Sequence, residues 1–392
     1  MRPTLGGAYG GGVRPPFART AATTAALALA LAACSADEGS DPGATRTSPS
    51  SSAGSPSTTS TSTSTTKPAP KAAVEGAPAA LTQAVAKKYG SRPLDGKASL
   101  GRWRGERVAV VTADDDVTLA VQPRGRTGWK VVGGWWPSLG SAGRADLGGS
   151  RHVLVIGSDA RPGQDVERSR ADAIQLLGVD GKGGAGLMGF ARDLWVPIPG
   201  HGQGKLNSSM VFAGPGGQTE SVASISGIDV DGYVVTGFDG FERIVDDLGG
   251  LNFVAPRGLD SHLTGGRIDK GYNHLSGKEA LAWSRERKSL PGGDFDRSRN
   301  QGLLLASAAI QARLRGPGAL PRALTVIDEH ASSDLSAQEM LVFTASFYRV
   351  DPTRVGGAVA KGPTAMQSGQ SIVRLDGASQ AAFRDFRDGR LS

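Results

Sequence analysis

Apolar and polar positions between residues 73 and 145 follow the short alternation of a small, mostly β region. The pattern predicts a short helix over residues 80–89 and strands over residues 107–112 and 117–122. Three consecutive aspartates at 114–116 separate the two strands as a turn. The aromatic stretch 129–136 is also β-like, so we expect an accessory region here, built mainly of strands.

From residue 146 to about residue 390 the pattern changes to strands that alternate with helices. Apolar runs predict strands over 152–156, 173–179 and 186–190. Ser276 and Glu279 have the spacing of a capping box, which predicts that a helix begins there. Residues 294–314 predict a second helix, ended by Gly316 and Pro317. We therefore expect an α/β sandwich, with a mixed central sheet flanked by helices.

The N-terminus has the pattern of an export signal, over residues 1–33. Arg14 and Arg19 precede thirteen consecutive Ala, Thr and Leu residues at 21–33. That run is too short to span a bilayer core of ~30 Å, which takes about twenty helical residues, but it suits the apolar region of a signal peptide.

The end of this segment, Leu31-Ala32-Ala33-Cys34, resembles a lipobox, and Cys34 is the only cysteine. We expect Cys34 to be lipidated, and the alternative is an ordinary signal peptide in which this cysteine is incidental. Residues 34–72 are Ser, Thr, Pro and Gly with almost no large apolar residue, which predicts a disordered tether.

Composition narrows the candidate chemistry. Lys and Arg number 44 against 37 Asp and Glu, a net charge of +7 that suits an anionic partner. A single cysteine excludes an internal disulfide, and the five histidines show no zinc-binding spacing. Trp135 and Trp136 are either a carbohydrate-stacking pair or part of a core.

Charged residues cluster where the predicted strands end and helices begin. They are Asp159, Arg161, Arg170, Asp172, Arg192 and Asp193 at strand ends, with Arg285, Arg287, Arg297 and Gln301 on or beside the two helices. The planar arginine fork suits phosphate oxygens. Carboxylates set among arginines suit Mg²⁺ shared with a phosphate, although surface ion pairs give the same pattern.

An ordered series of motifs resembles the LytR–CpsA–Psr family over roughly residues 149–315. The motifs are Val153-Leu154-Val155-Ile156-Gly157-Ser158-Asp159, Arg170-Ala171-Asp172-Ala173, Ala191-Arg192-Asp193, Lys205-Leu206-Asn207, Asp231-Gly232-Tyr233, Asp247-Leu248-Gly249-Gly250, Glu279-Ala280-Leu281, Arg285-Glu286-Arg287 and Asp294-Phe295-Asp296-Arg297 with Gln301. No single motif is specific, but their order is.

The resemblance implies an Mg²⁺-dependent phosphotransferase on the outer face of the cell membrane. It would move a glycopolymer from a polyprenyl-pyrophosphate carrier to the muramic acid C6 hydroxyl of peptidoglycan and release polyprenyl phosphate. Its partners would be the lipid-linked glycan, peptidoglycan and the membrane, with no nucleic acid. The lipid anchor expected at Cys34 departs from the family, because many of its members use a transmembrane helix.

The same resemblance implies roles for particular residues. Asp159 and Asp172 would hold Mg²⁺, and Asp159 or Asp193 would take the proton from the attacking hydroxyl beside Arg192. The pyrophosphate would be bound by Arg192, Arg285, Arg287, Arg297 and Gln301, with Arg161, Lys205 and Asn207 as further candidates.

This chain departs from the usual pattern at three places near these residues. Ala171 and Ala173 stand where hydroxyl residues are usual, Ala191 where proline is usual and Asn300 where arginine is usual. Two other functions stay open: a pyrophosphatase that uses the same site with water, and a lipoprotein that only binds lipid-linked glycan.

Overall fold

The computed structural model describes residues 72–140, 145–261 and 266–392. The predicted signal peptide, Cys34 and nearly all of the predicted tether lie outside these residues. The described chain falls within one compact unit, Thr63–Ser392. None of the helices within it is long and apolar enough to cross a bilayer.

A five-stranded sheet with one helix forms the N-terminal part of the described chain. Its elements are β1 (Ala72–Glu75), α1 (Ala79–Tyr89), β2 (Leu94–Trp103), β3 (Glu106–Ala113), β4 (Asp116–Gln122) and β5 (Lys130–Trp135). The strands lie in chain order, with β1 parallel to β2 and the rest antiparallel. Leu81 and Val85 of α1 pack on one face of the sheet. The expected mostly β accessory region is therefore confirmed.

The tryptophan pair at the end of this sheet belongs to its core. Trp135 and Trp136 are both buried, and Trp136 Nε1 donates a hydrogen bond to Thr118 Oγ1 at 2.8 Å. Neither ring is available to stack on a sugar, so the carbohydrate-binding interpretation of the pair is wrong.

The second part of the chain carries the remaining strands and helices. The strands are β6 (Arg151–Ser158), β7 (Ala171–Val179), β8 (Ala185–Phe190), β9 (Trp195–Ile198), β10 (Gly202–Lys205), β11 (Gly232–Thr236), β12 (Leu251–Ala255), β13 (Leu259–Ser261), β14 (Gly266–Ile268), β15 (Gly271–Leu275), β16 (Ser332–Ser333), β17 (Val355–Ala360), β18 (Thr364–Gln367) and β19 (Gln370–Val373). The helices are α2 (Ser209–Ser226), α3 (Phe238–Asp247), α4 (Gly277–Arg285), α5 (Asp294–Leu314), α6 (Leu320–His330), α7 (Ala337–Ser346) and α8 (Gly377–Phe386).

A six-stranded sheet, in the order β16-β11-β6-β7-β8-β17, lies at the centre of this part. The pairs β11–β6 and β8–β17 are parallel and the others antiparallel, which confirms the expected mixed sheet. The predicted capping box is present: Ser276 accepts a hydrogen bond from Glu279 N, and the Glu279 carboxylate accepts one from Ser276 N at 2.9 Å.

Alternation along β6 sends its side chains into two different layers. Leu154 and Ile156 pack in a core that also holds Met210 of α2 and Phe383 of α8. Val153 and Val155 point to the opposite face, which α3, α5, α6 and α7 cover. The sheet is thus sandwiched between helices, and the candidate site lies in the second of these layers.

The accessory sheet packs on the outer side of α6 and α7. Trp103 and Leu119 of the accessory sheet share one apolar core with Leu324 of α6 and Leu341 of α7. The buried Trp103 Nε1 also donates to the carbonyl of Leu335 at 2.9 Å. Helices α6 and α7 therefore lie between two sheets, and their inner faces look onto the central one.

Candidate active site

A cavity of about 810 Å³ separates the central sheet from the helices on its second face. Most of its wall is apolar, from strands β6, β7 and β11 and from helices α3 to α7. Representative lining residues are Val155, Leu177, Phe241, Leu304 and Phe343. The volume lies toward the upper end of the range of about 300–1,000 Å³ typical of ligand pockets. An apolar space of this size suits a long hydrocarbon chain.

Charged and polar side chains interrupt the apolar lining in two groups. Asp172, Arg285, Arg297 and Gln301 lie around the start of α5, and Asp246, Asp247, Arg315 and Arg322 lie at the end of α3, after α5 and on α6. Four of the predicted site residues therefore line the same space as the apolar residues.

A β-bulge presents Asp172 to the cavity near the start of α5. Gly157 of β6 pairs with Ala173 of β7, but the next residue, Ser158, pairs with Ala171, so Asp172 is the extra residue. A bulge bends a strand locally and redirects a side chain, which is why bulges are common beside active sites.

Two arginines and two aspartates form an ion-pair network around that bulge. Arg192 Nη1 donates to Asp172 Oδ1 at 2.7 Å, and its Nε lies 3.5 Å from Asp294 Oδ1. Arg297 Nη2 lies 2.7 Å from Asp294 Oδ1, and Arg297 Nη1 lies 3.8 Å from Asp172 Oδ2. Each arginine thus contacts both carboxylates, which holds the two guanidinium groups side by side.

Burial makes this network electrostatically strained. Only 7% of the Arg297 side chain is exposed. That burial lowers the pKa of Arg297, and the nearby positive charge of Arg192 lowers it further, although Asp294 acts the other way. Burial also opposes ionisation of Arg192, but the carboxylates of Asp172 and Asp294 outweigh it and raise the pKa of Arg192. The two aspartates match the two guanidinium groups in formal charge.

Each of the two guanidinium groups also has an N–H donor that no hydrogen bond in the described part of the chain uses. Arg192 Nε and Arg297 Nε are buried and hydrogen-bond to no described residue. Buried N–H groups without acceptors are costly, so a ligand oxygen that accepts from them would bind favourably.

Gln301 ties the network to the neighbouring helix and strand. Its Nε2 donates to Ser284 O at 3.1 Å and to Asp172 O at 3.4 Å. Gln175 Nε2 lies 3.4 Å from Gln301 Oε1 and donates to Ser298 O at 3.0 Å. This buried amide chain fixes the start of α5 against β7.

The remaining predicted residues lie outside the network. Asp159 Oδ1 accepts from Arg170 N at 3.0 Å, which locks the loop after β6 onto the start of β7. Lys205 Nζ lies 2.9 Å from Asp193 Oδ1. Asn207 N donates to Arg192 O at 2.9 Å, so it contacts the arginine's backbone.

Phe238, the first residue of α3, separates Arg161 from the other arginines. The Arg285 guanidinium lies 4.5 Å from the Phe238 ring centre and lines the main cavity. The Arg161 guanidinium lies 5.6 Å from the same ring but lines a second cavity. The exposed Arg287 contributes positive charge that lowers the pKa of Arg297.

Asp294 and Gln175 were missed as site residues in the sequence. Asp294 had a usable signal, because it lies three residues before Arg297 on one helix and such pairs are neighbours. Gln175 had none, because a lone amide inside an apolar strand does not reveal what it faces.

Magnesium fits this site only together with a phosphorylated ligand. Within residues 72–140, 145–261 and 266–392, no cluster of three or more His, Cys, Asp or Glu could hold a metal. However, Mg²⁺ typically takes one or two protein carboxylates and completes its shell with phosphate oxygens and water. Asp172 keeps lone pairs beyond those facing the arginines. Asp172 could therefore supply one carboxylate to a metal shared with a pyrophosphate, whereas Asp159 lines neither cavity and accepts from Arg170 N instead.

A family model described as the LytR_cpsA_psr family matches residues 143–385. Among curated proteins, regulatory protein MsrR of Staphylococcus aureus (strain COL) is 33% identical over 156 residues, 39% of this chain and 46% of MsrR. A polyisoprenyl-teichoic acid–peptidoglycan teichoic acid transferase, TagU of Bacillus mycoides, is 27% identical over 191 residues, 48% of this chain and 61% of TagU. This chain thus spans about half the length of these relatives.

Solved structures show the same fold. Bacillus subtilis TagV superimposes with a TM-score of 0.53 at 22% identity, covering 61% of this chain and 96% of TagV. TagT bound to LI-WTA gives a TM-score of 0.51 at 23% identity, covering 62% of this chain and 91% of TagT. At this identity the likeness concerns the fold alone.

Proposed function

This chain belongs to the LytR–CpsA–Psr family, and we propose that it transfers a glycopolymer from a polyprenyl-pyrophosphate carrier to the muramic acid C6 hydroxyl of peptidoglycan. The observation that carries the proposal is the largely apolar 810 Å³ cavity whose lining includes the buried Arg297, which shares its ion-pair network with Arg192. A polyprenyl pyrophosphate has that same division into a long apolar chain and a compact anion. The teichoic acid transferase name of the relative TagU supports the same reaction class.

Each part of the donor has a counterpart in the site. The prenyl chain would lie among Val155, Leu177 and Leu304, where burial removes its surface from water at roughly 25 cal/mol per Å². The pyrophosphate would accept hydrogen bonds from Arg192 and Arg297, with Arg285 and Arg287 adding positive charge and Gln301 a neutral amide. Charge-assisted bonds from arginine forks are strong and fix orientation.

The chemical step is substitution at the phosphorus atom that bears the sugar. The acceptor hydroxyl oxygen forms a bond to that phosphorus, and the bond to the bridging oxygen breaks. Polyprenyl phosphate leaves with the bridging oxygen, and a carboxylate, Asp159 or Asp193, takes the hydroxyl proton. Arg192 and Arg297 would stabilise the charge that develops on the bridge, since phosphoryl transfer depends mainly on positioning and electrostatics.

Magnesium, with Asp172 as one ligand, would neutralise pyrophosphate charge when bound. The ion pair between Arg192 and Asp172 would orient that carboxylate in advance. Adding EDTA should abolish transfer, and Mg²⁺ should restore it. Full activity in EDTA would refute a metal role and leave the arginine site intact.

We further propose that Cys34 carries the lipid anchor that holds the protein on the outer face of the cell membrane. The support is the sequence Leu31-Ala32-Ala33-Cys34 after the short apolar run. Mass spectrometry of membrane-associated protein should find an acylated Cys34 at its N-terminus. An unmodified Cys34 in mature protein would rule the anchor out.

One assay separates transfer from its alternatives. Purified protein would be incubated with a labelled polyprenyl-pyrophosphate-linked sugar, peptidoglycan and Mg²⁺, beside the variants Arg192→Ala and Asp172→Ala. Label in the wall fraction that both variants lose supports transfer, and labelled soluble sugar phosphate indicates a pyrophosphatase instead. Lipid binding with neither product indicates a binding protein. Arg299→Ala is the matched control, because Arg299 is on α5 but 59% exposed and paired with Asp296.

A further inference from the structure

The main cavity reaches the protein surface at a place far from the ion-pair network of Arg192 and Arg297. Its lining there includes Arg315, directly after α5, and Arg322 on α6, and both side chains are exposed. A residue that is exposed to water and also lines a cavity marks a place where the cavity meets the surface. Arg297 and Arg315 lie at opposite ends of α5, and at about 1.5 Å per helical residue they are roughly 27 Å apart.

The two arginines at this opening have no carboxylate partner in the described part of the chain. Arg315 Nη1 donates to Leu248 O at 2.7 Å, and Arg322 Nη2 donates to Asp247 O at 3.2 Å. Neither guanidinium forms an ion pair with a described residue. Because a guanidinium has five N–H donors, most of the donors on each fork remain for an outside group.

The two acidic residues at the same opening are bound within the protein. Asp246 Oδ1 accepts from Gly277 N at 2.7 Å, and Asp247 Oδ2 lies 2.8 Å from His330 Nε2. Both carboxylates therefore have partners, and the arginine forks are the groups at this opening that can still bind an anion.

Large apolar side chains lie exposed beside the opening. Leu314 is 77% exposed and Ile310 is 43% exposed, and since they are four residues apart on α5 they share one face of the helix. The exposed Arg313, next to Leu314, adds a third positive charge to this surface. Basic residues beside exposed apolar side chains are the combination with which proteins bind membrane surfaces.

We propose that this opening docks on the anionic phospholipid surface of the membrane. Arg315 and Arg322 bind headgroup phosphates, and Leu314 enters the acyl-chain boundary. The inference rests on the proposed function, because a prenyl chain is unfavourable in water and gains from an apolar path between bilayer and cavity. The chain passes through this opening, and the pyrophosphate lies at the ion-pair network roughly 27 Å away.

The test uses the full chain on vesicles of phosphatidylglycerol and phosphatidylcholine in equal parts, with a fluorophore on Leu314→Cys. Bromine atoms on the acyl chains of the phosphatidylcholine quench the fluorophore where it enters the bilayer. Wild type treated with the same reagent gives the background from Cys34, the only natural cysteine. The Leu314 label should be quenched on these vesicles.

The arginines are tested on the same labelled protein. Exchanging both, as Arg315→Gln with Arg322→Gln, should lower the ratio of quenched to unquenched label about 25-fold, because each arginine near an anionic surface contributes about fivefold. Brominated phosphatidylcholine alone, which has no net charge, should lower the ratio for the unexchanged protein in the same way.

Met366→Cys is the matched control, because Met366 is 69% exposed but belongs to the hairpin of β18 and β19. Val373 of that hairpin packs with Leu154, on the other face of the central sheet from the cavity. A label on Met366→Cys should stay unquenched. The docking surface is refuted by an unquenched Leu314 label, by equal quenching at both positions, or by quenching that the arginine exchange leaves unchanged. Shielding of the Leu314 label in lipid-free solution as protein concentration rises would identify a second copy as the occupant and also refute it.

Calorimetry with farnesyl pyrophosphate, a soluble short-chain relative of the carrier, separates this inference from the proposed function. Leu314→Ser should bind it as wild type does, because no bilayer is present and Leu314 does not line the cavity. A loss of this binding in Leu314→Ser would place the residue in the carrier site and contradict its role in docking. Failure of wild type to bind farnesyl pyrophosphate would instead refute the proposed function, whatever the vesicles show.

Discussion

Replacing Arg297 with alanine tests the arginine network most directly. Arg297 is only 7% exposed and lies within 4 Å of both Asp294 and Asp172. A hydrogen bond to a charged group contributes about 1.5–3 kcal/mol. At 1.4 kcal/mol per tenfold, its loss should weaken binding of polyprenyl pyrophosphate about 10- to 140-fold.

The same change should destabilise the fold by a moderate amount. Removing one partner of a fully buried ion pair costs about 3–5 kcal/mol. Here the two carboxylates keep Arg192 and are about a quarter exposed, so water and Arg192 compensate in part. We therefore expect a loss of about 1–3 kcal/mol in the free energy of unfolding.

Calorimetry with polyprenyl pyrophosphate and urea unfolding would measure the two effects separately. Arg297→Lys keeps the charge but loses the planar fork, so its affinity should fall between those of wild type and Arg297→Ala. Arg299→Ala removes an exposed arginine from the same helix and should change each quantity by less than about 1 kcal/mol. Wild-type affinity in Arg297→Ala, or an equal loss in Arg299→Ala, would refute the assignment of this network to the pyrophosphate.

Three further variants test other parts of the molecule. Ala308→Trp places a large ring in the apolar cavity and should abolish binding of long-chain polyprenyl pyrophosphate in calorimetry while inorganic pyrophosphate still binds; unchanged lipid binding would contradict the location of the tail. Burial lowers the pKa of His152 below its ordinary value of about 6.5. As the pH drops from 7 to 5, the unfolded state therefore takes up a proton before the folded state does, and the melting temperature should fall. An equally steep fall in His152→Gln would contradict this role of His152. Trp103→Phe removes the stronger of the two donors to the carbonyl of Leu335 and leaves only Arg104 Nη1 at 3.4 Å, so it should cost about 1 kcal/mol in urea unfolding. No loss would mean that this contact of the accessory sheet with the segment before α7 is not stabilising.

Local patterns were enough to predict the secondary elements around the site. The helix predicted over residues 294–314 is α5 as observed, and the predicted cap at Ser276 is present. Both depend on residues a few positions apart, so neighbours along the chain contain the whole signal. The neighbouring positions of Arg297 and Gln301 follow in the same way.

Which charged residues meet was decided by pairings between distant segments. Arg192 reaches Asp172 and Asp294, which are 20 and 102 positions away in the chain. Arg161 is likewise predicted from the sequence to bind the pyrophosphate, but it lies on the other side of Phe238 and lines the second cavity. Arg192 differs from Arg161 because the β-bulge at Asp172 and the start of α5 both lie beside it. The pattern of charges along the chain indicates neither feature.

The apolar strands show where the sequence stops being sufficient. The residues of β6 and β7 are apolar on both faces, which determines a central, covered sheet. Yet Leu154 and Ile156 are closely packed against α2 and α8, while Val153 and Val155 line an 810 Å³ cavity. Whether an apolar face of the sheet packs against side chains or lines a cavity depends on the distance between the sheet and the helices that cover that face. That distance is set by α5, α6 and α7, which lie more than a hundred residues further along the chain.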